Sequence, residues 1–319
     1  VLLFATEFVT VWIQDPMVLY RSYLWALMLP GIVALLVIDL KPRTIYLAGA
    51  AVCLLFGGLA FERVDSLKTN LSAWSDAVDA IDEEAPFNAF GRWRPYSNRG
   101  GEYLFQDPPR LQEAMKDFVI AERLGEPEGT AVYNQGVIWQ QVGRHDQAIA
   151  FFQKARNMGF RVDGFNFHFA ESLNQMGRYR EAGHYYSLAL KEEQEGAVRL
   201  HTLAKRGEVY VRMREFALAT ADFEEVLKSQ PDDERSLNGL GMALLGKRHV
   251  RRAIEVFDRL IAIKAGPNAY YGRGIAFQLE GRRAESVRDL AEAVRLAPGN
   301  PGYRQAYERA RAAPAMPAR

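Results

Sequence analysis

Residues Gly129–Gly159 read GTAVYNQGVIWQQVGRHDQAIAFFQKARNMG, and this stretch decides the fold. It divides into two short helical patterns. Tyr133, Gly136 and Trp139 share one side of the first, Gly143 breaks the chain, and Ala148, Phe152 and Ala155 share one side of the second. Small residues at Gly136, Ala148 and Ala155 let two helix backbones approach closely, while Trp139 and Phe152 are expected to fill the space between them. A pair of this size cannot bury its outer apolar face alone, so it needs copies of itself.

The copies recur at a period of about 34 residues. Downstream they carry Ala170, Gly177, Ala182 and Tyr186, then Gly207, Ala219 and Phe223, then Gly241, Ala253 and Phe257, and last Gly274, Gly281, Leu290 and Ala293. Upstream, Asn98, Gly100, Ala114, Phe118 and Ala121 form a first copy. The spacing is nearly constant, loosened in the first copy by the extra turn residues Asp107, Pro108 and Pro109. On these residues the chain resembles the tetratricopeptide-repeat (TPR) family, which implies an all-α solenoid of helical hairpins that binds proteins. Six repeats are expected over 93–300, with a capping helix and tail over 301–319.

The N-terminal part has a different pattern. Val1–Ile13 is apolar and begins without a methionine or a basic leader, which points to a piece of a longer protein. Two transmembrane helices are expected at about 22–39 and 44–61, joined by a turn carrying Lys41 and Arg43. Gly49, Cys53 and Gly57 recur every four residues, a stripe suited to close helix packing. The positive-inside rule puts Lys41 and Arg43 in the cytoplasm and the repeats on the extracytoplasmic, periplasmic side of a bacterial inner membrane. From Val64 to Ile81, apolar residues step by three and four, predicting an amphipathic stalk helix, followed by a connector to residue 92.

Formal net charge is +1 and there is a single cysteine, so neither nucleic-acid binding nor an internal disulfide is implied. Charge is uneven, however. Residues 64–246 hold 21 Lys/Arg against 28 Asp/Glu, and residues 247–319 hold 15 against 7, a basic end suited to an acidic partner, lipid headgroups or plain solvation.

No catalytic constellation is visible. His145, His168, His184, His201 and His249 match no metal-ligand spacing. Gly239, Gly241 and Gly246 follow no strand, and a phosphate cradle needs one. No cofactor or metal is therefore expected. The expected site is an inner groove for a protein or extended peptide, lined by Tyr133, Gln140, Gln141, Phe167, Glu171, Asn174, Gln175, Glu208, Arg212 and Tyr271. Asn98 and Asn134 occupy the position that holds peptide in some TPR proteins. The equivalent positions further on are His168, Lys205, Gly239 and Gly272.

A second resemblance covers roughly residues 10–135. Tyr20, Arg21, Tyr23 and Leu24 precede the two apolar segments, then come Trp74–Val78 and Asn98 opening a repeat. This order is similar to the C-terminal part of membrane glycosyltransferase-like proteins with TPR tails, such as the transmembrane O-mannosyltransferases. The resemblance implies a parent enzyme using a lipid-linked sugar, with its acidic catalytic loops upstream of Val1. It also marks Arg21 as a candidate contact to the lipid phosphate, beside its plainer reading as an interfacial anchor.

Overall fold

The computed structural model describes residues 68–81, 91–162, 164–192 and 196–312, together with Lys41, Ala50 and Leu54. These residues contain fourteen helices and no strand. Contacts divide the chain into two units between Asn134 and Gln135.

In the first unit, α1 (Asn70–Asp79) packs on α2 (Trp93–Leu104), which packs on α3 (Leu111–Arg123). Of the stalk and connector expected over 64–92, residues 68–81, 91 and 92 are described. Thr69 is extended, its hydroxyl accepts from the Ser72 N–H, and Ser72 accepts from the Thr69 N–H, so a capping box starts a helix at Asn70. Gly100 of α2 faces the Phe118 ring of α3; a β-carbon there would stand 3.0 Å from it. α4 (Thr130–Gln141) runs through the boundary between units.

The second unit continues with α5 (His145–Asn157), α6 (Phe165–Gln175), α7 (Tyr179–Glu192), α8 (Ala197–Arg212), α9 (Phe216–Ser229), α10 (Glu234–Gly246), α11 (Val250–Ile263), α12 (Pro267–Leu279), α13 (Arg283–Leu296) and α14 (Pro301–Ala312). From α5 onward each helix packs on the next, and α8, α10, α12 and α14 also touch in succession. That nearest-neighbour pattern is the solenoid one. α2/α3, α4/α5, α6/α7, α8/α9, α10/α11 and α12/α13 are the hairpins, here numbered one to six. The even-numbered helices are their first helices, and α14 continues that row.

Rings on the second helices fill the space between hairpins. Phe223 of α9 is wholly buried. A β-carbon on Gly207 of its own hairpin would come within 2.9 Å of the ring, and one on Gly239 of the next hairpin would overlap it. Phe257 is held the same way between Gly241 and Gly272. This explains why the asparagine position becomes glycine at 239 and 272: the space a side chain would take belongs to a neighbouring ring. Trp139, expected in the core, is only half-buried and carries the Arg144 guanidinium 5.9 Å from its ring.

The turns inside hairpins two to six each hold one left-handed residue. Gly143, Gly177 and Gly281 supply it in hairpins two, three and six, whereas Arg214 (φ 61°) and Arg248 (φ 62°) supply it in four and five. The transmembrane hairpin expected over 22–39 and 44–61 lies outside the described residues, apart from Ala50 and Leu54; so does Arg21. Among the described residues no helix is long and apolar enough to cross a membrane.

Candidate binding face on the first helices

The first helices of the second unit are cross-linked by polar side chains from one hairpin to the next. Gln140 donates to the His168 carbonyl (2.8 Å) and to the Ser172 hydroxyl (2.9 Å), while its amide oxygen meets His168 Nδ1 at 2.8 Å. Glu171 accepts from Lys205 Nζ (2.9 Å), from the Tyr186 hydroxyl (2.8 Å) and from Gln175 (3.3 Å). Glu208 pairs with Arg235 through both carboxylate oxygens. Helix packing brings these partners into register because equivalent residues on adjacent hairpins lie side by side.

The other expected groove residues are placed as follows. Phe167 is half-buried, 5.5 Å from the His201 ring and 5.8 Å from Tyr186. Asn174 is half-buried, and Gln141 and Gln175 are exposed. Arg212 donates to the Tyr179 hydroxyl at 3.3 Å and lies over its ring. Tyr271 stacks on Tyr303 with centroids 5.0 Å apart. In the first unit, Asn98 is exposed, and Tyr133 and Asn134 are half-buried.

Burial raises the Tyr133 phenol to about 12. Burial also works against the Glu171 charge, but the hydrogen bond and charge of Lys205, with Tyr186 and Gln175, outweigh it and hold the carboxyl below its usual range. Burial lowers His168, and the charge of Glu171 offsets only part of that. An imidazole held neutral in the fold gains its proton more readily in the unfolded chain. Its stabilising contribution is therefore complete above the ordinary value of 6.5 and is lost as pH falls beneath it. Melting followed by circular dichroism at about pH 7.5 and about pH 5.5, on either side of that value, should give the lower midpoint in acid. His168→Gln should shrink the difference; an undiminished difference would mean that another group carries it.

Two features escape sequence reading. The first is an open pocket of about 480 Å³ between hairpins four to six, where Asn238 and Asn268 stand beside the Glu208–Arg235 pair over Leu260 and Pro267. Its signal in sequence was the row His201, Arg235, Asn268, each six residues before the small residue of its first helix. The second is a repeated ion pair within hairpins one, four and six. Arg99, Arg206 and Arg273 each precede the packing glycine, and each donates two bonds of 2.7–3.0 Å to Asp117, Asp222 and Asp289 respectively. An Arg-Gly on the first helix with Asp-Phe or Asp-Leu on the second would have revealed it. Among the described residues no cluster of three His, Cys, Asp or Glu side chains is placed to hold a metal ion.

Residues 204–268 match a family model described as tetratricopeptide repeat. No curated protein matches the sequence. Among solved structures, YrrB, described as a TPR protein with an unusual peptide-binding site, superposes with a TM-score of 0.50 and 18% identity over 60% of this chain and 97% of that one. The Cut9–Hcn1 hetero-tetramer of APC/C gives a TM-score of 0.51 and 15% identity over 75% of this chain and 46% of that chain. At these identities the likeness is one of fold. The described residues have an all-helical, TPR solenoid-like fold, and residues 204–268 match the repeat itself.

Proposed function

We propose that the chain is a membrane-anchored interaction module whose repeats hold an extended segment of a partner protein on the extracytoplasmic side. The observation that carries the binding reading is the open pocket beside Glu208, Arg235, Asn238 and Asn268. Its neighbours Glu171 and Lys205, and Glu208 and Arg235, are held in place by their pairing, so little side-chain freedom is lost when a peptide docks. Asn238 and Asn268 suit the carbonyl and amide groups of an extended backbone. YrrB, which shares the fold, is described as binding peptide, which supports the same use here. The apolar segments 22–39 and 44–61 support the anchor, and Lys41 and Arg43 between them support the orientation.

The test is selection from a random peptide library on the full chain. Peptides that bind should lose at least tenfold in affinity on Asn238→Ala with Asn268→Ala, in line with about 1.4 kcal/mol or more for lost backbone hydrogen bonds. Binders indifferent to both changes would place recognition elsewhere. Alkaline phosphatase fused after Arg319 should be active in a bacterial host, and an inactive, stably expressed fusion would reverse the orientation.

A second reading rests on the Tyr20-Arg21-x-Tyr23-Leu24 element and its order relative to the apolar segments. In it the repeats are the acceptor-holding tail of a membrane glycosyltransferase that uses a polyprenyl-phosphate sugar. Arg21 would hold two phosphate oxygens at once, which lysine cannot do. Glycan transfer by the full-length protein that survives Arg21→Lys undiminished would remove that role.

A further inference from the structure

The turns inside hairpins four, five and six form one continuous edge of the second unit. Gly246, closing α10, packs against the ring of Phe216, which opens α9. Arg251, opening α11, reaches Glu280 at the end of α12 at 3.6 Å. Arg283, opening α13, donates to the carbonyls of Ala310 and Arg311 at the end of α14. Four consecutive turns and helix ends are thus linked neighbour to neighbour, and the charge along them is one-sided. Arg214, Lys247, Arg248, Arg251, Arg309 and Arg311 lie on this edge. Of these six, only Arg251 has a carboxylate partner among the described residues, and its side chain is 92% exposed. The unshared anions beside them are Glu215 and Glu308, since Glu280 and Glu285 are already engaged by Arg282.

The opposite edge, made by the loops between hairpins, has a different balance. There Asp232 pairs with Arg259, Glu234 pairs with Lys264, and Asp233 caps α10. Around the loop between hairpins four and five the acidic residues are thus all engaged, whereas five of the six cations on the turn edge have no carboxylate partner among the described residues.

Two of the cations occupy costly positions. Arg214 and Arg248 stand in the left-handed conformation that Gly143, Gly177 and Gly281 adopt in the sister turns. A side chain there is strained, and glycine is the residue that removes the strain. Each turn closes its first helix through the backbone, Glu215 N–H donating to the Tyr210 carbonyl and His249 N–H to the Leu244 carbonyl, which glycine would allow equally. Both guanidinium side chains are exposed and make no hydrogen bond or salt bridge among the described residues. Such outliers point to use rather than to stability.

We propose that this edge docks on an anionic lipid surface. A line of exposed cations reaching out from successive turns meets a plane of headgroup phosphates without needing a shaped cleft. Exposed Leu218, at the start of α9, and Leu279, at the end of α12, add apolar contact on the same edge, the combination that interfacial binding uses. An acidic protein segment is the competing occupant. The proposal depends neither on peptide binding by the first helices nor on residues 22–61 crossing a membrane.

The test uses the full chain with Cys53→Ser and an environment-sensitive fluorophore at Ala284→Cys, an exposed position on the turn edge. A control label at Ser229→Cys reports on the opposite edge. The chain is added to vesicles of phosphatidylcholine alone, or of phosphatidylcholine and phosphatidylglycerol in equal parts. Flotation with the neutral vesicles reports separately on anchoring by the apolar segments. The Ala284 label should move to shorter wavelength only with phosphatidylglycerol, the effect should disappear in high salt, and the Ser229 label should not respond. Arg214→Gly with Arg248→Gly should weaken the response by roughly 25-fold, about fivefold for each cation removed near a charged surface. The same variant should melt no lower than the parent, because glycine suits both turns. A label indifferent to phosphatidylglycerol, a variant that responds like the parent, or a stronger response to soluble polyglutamate than to the vesicles would overturn the proposal.

Discussion

Phe223→Ala is expected to lower the stability of the second unit by about 3–5 kcal/mol, the cost of truncating a fully buried ring. Phe223 has no exposed surface and sits against the backbones of two different hairpins, at Gly207 and Gly239. Its loss therefore weakens a hairpin and the joint to the next hairpin together. Because a solenoid's stability is a sum of repeat and interface contributions, hairpins five and six should then unfold apart from those before them. Urea unfolding followed by hydrogen exchange would resolve the two events. A double-mutant cycle gives the sharper check. Gly239→Ala alone should destabilise by about 1–3 kcal/mol, since its methyl would overlap the ring, whereas in the Phe223→Ala background it should be nearly neutral or stabilising. Additive effects would mean that ring and glycine do not share one space.

Asp222→Ala should destabilise by about 3 kcal/mol, because it leaves the Arg206 guanidinium largely buried without its counter-ion. Arg206 donates to both carboxylate oxygens at 2.7 and 2.9 Å, and the pair's side chains are 20% and 7% exposed. Burial pushes the Asp222 carboxyl up, against the pull of Arg206, so desolvation consumes much of what the pairing gains. The pair should accordingly be replaceable as a unit. Hairpin five has Leu240 and Val256 at the equivalent positions. Arg206→Leu with Asp222→Val should return stability to within about 1 kcal/mol of the parent or above it. If the double variant is as weak as Asp222→Ala, the ion pair contributes more than apolar packing can replace.

The hairpins were legible because their signal is local. Gly136, Gly207, Gly241 and Gly274 recur in phase with Ala148, Ala219, Ala253 and Ser286, and each glycine faces the Phe152, Phe223, Phe257 or Leu290 side chain of its own repeat. The start of α1 at Asn70 was not legible in the apolar spacing, which runs on through Thr69, because a capping box between Thr69 and Ser72 sets it. For the expected groove the sequence offered only a face. Glu171 and Gln140 appear in the sequence as polar residues facing inward, but their partners lie 34 and 28 residues away.

By itself the sequence determined the class of this protein: a chain that repeats a two-helix pattern with small residues in phase must stack, because one hairpin leaves an apolar face uncovered. It also determined which residues face the first-helix side, through the 3.6-residue period. Only the tertiary structure decided what those residues meet. Gly239 and Gly272 give their space to the rings of the preceding hairpin. Lys205 and Arg235 are used up on Glu171 and Glu208. Arg214 and Arg248, far from Arg309 and Arg311 along the chain, come to share one edge. The physical reason is that stacking sets residues of different hairpins side by side. Their pairing then depends on side-chain length, burial and charge across the interface, which no local period encodes.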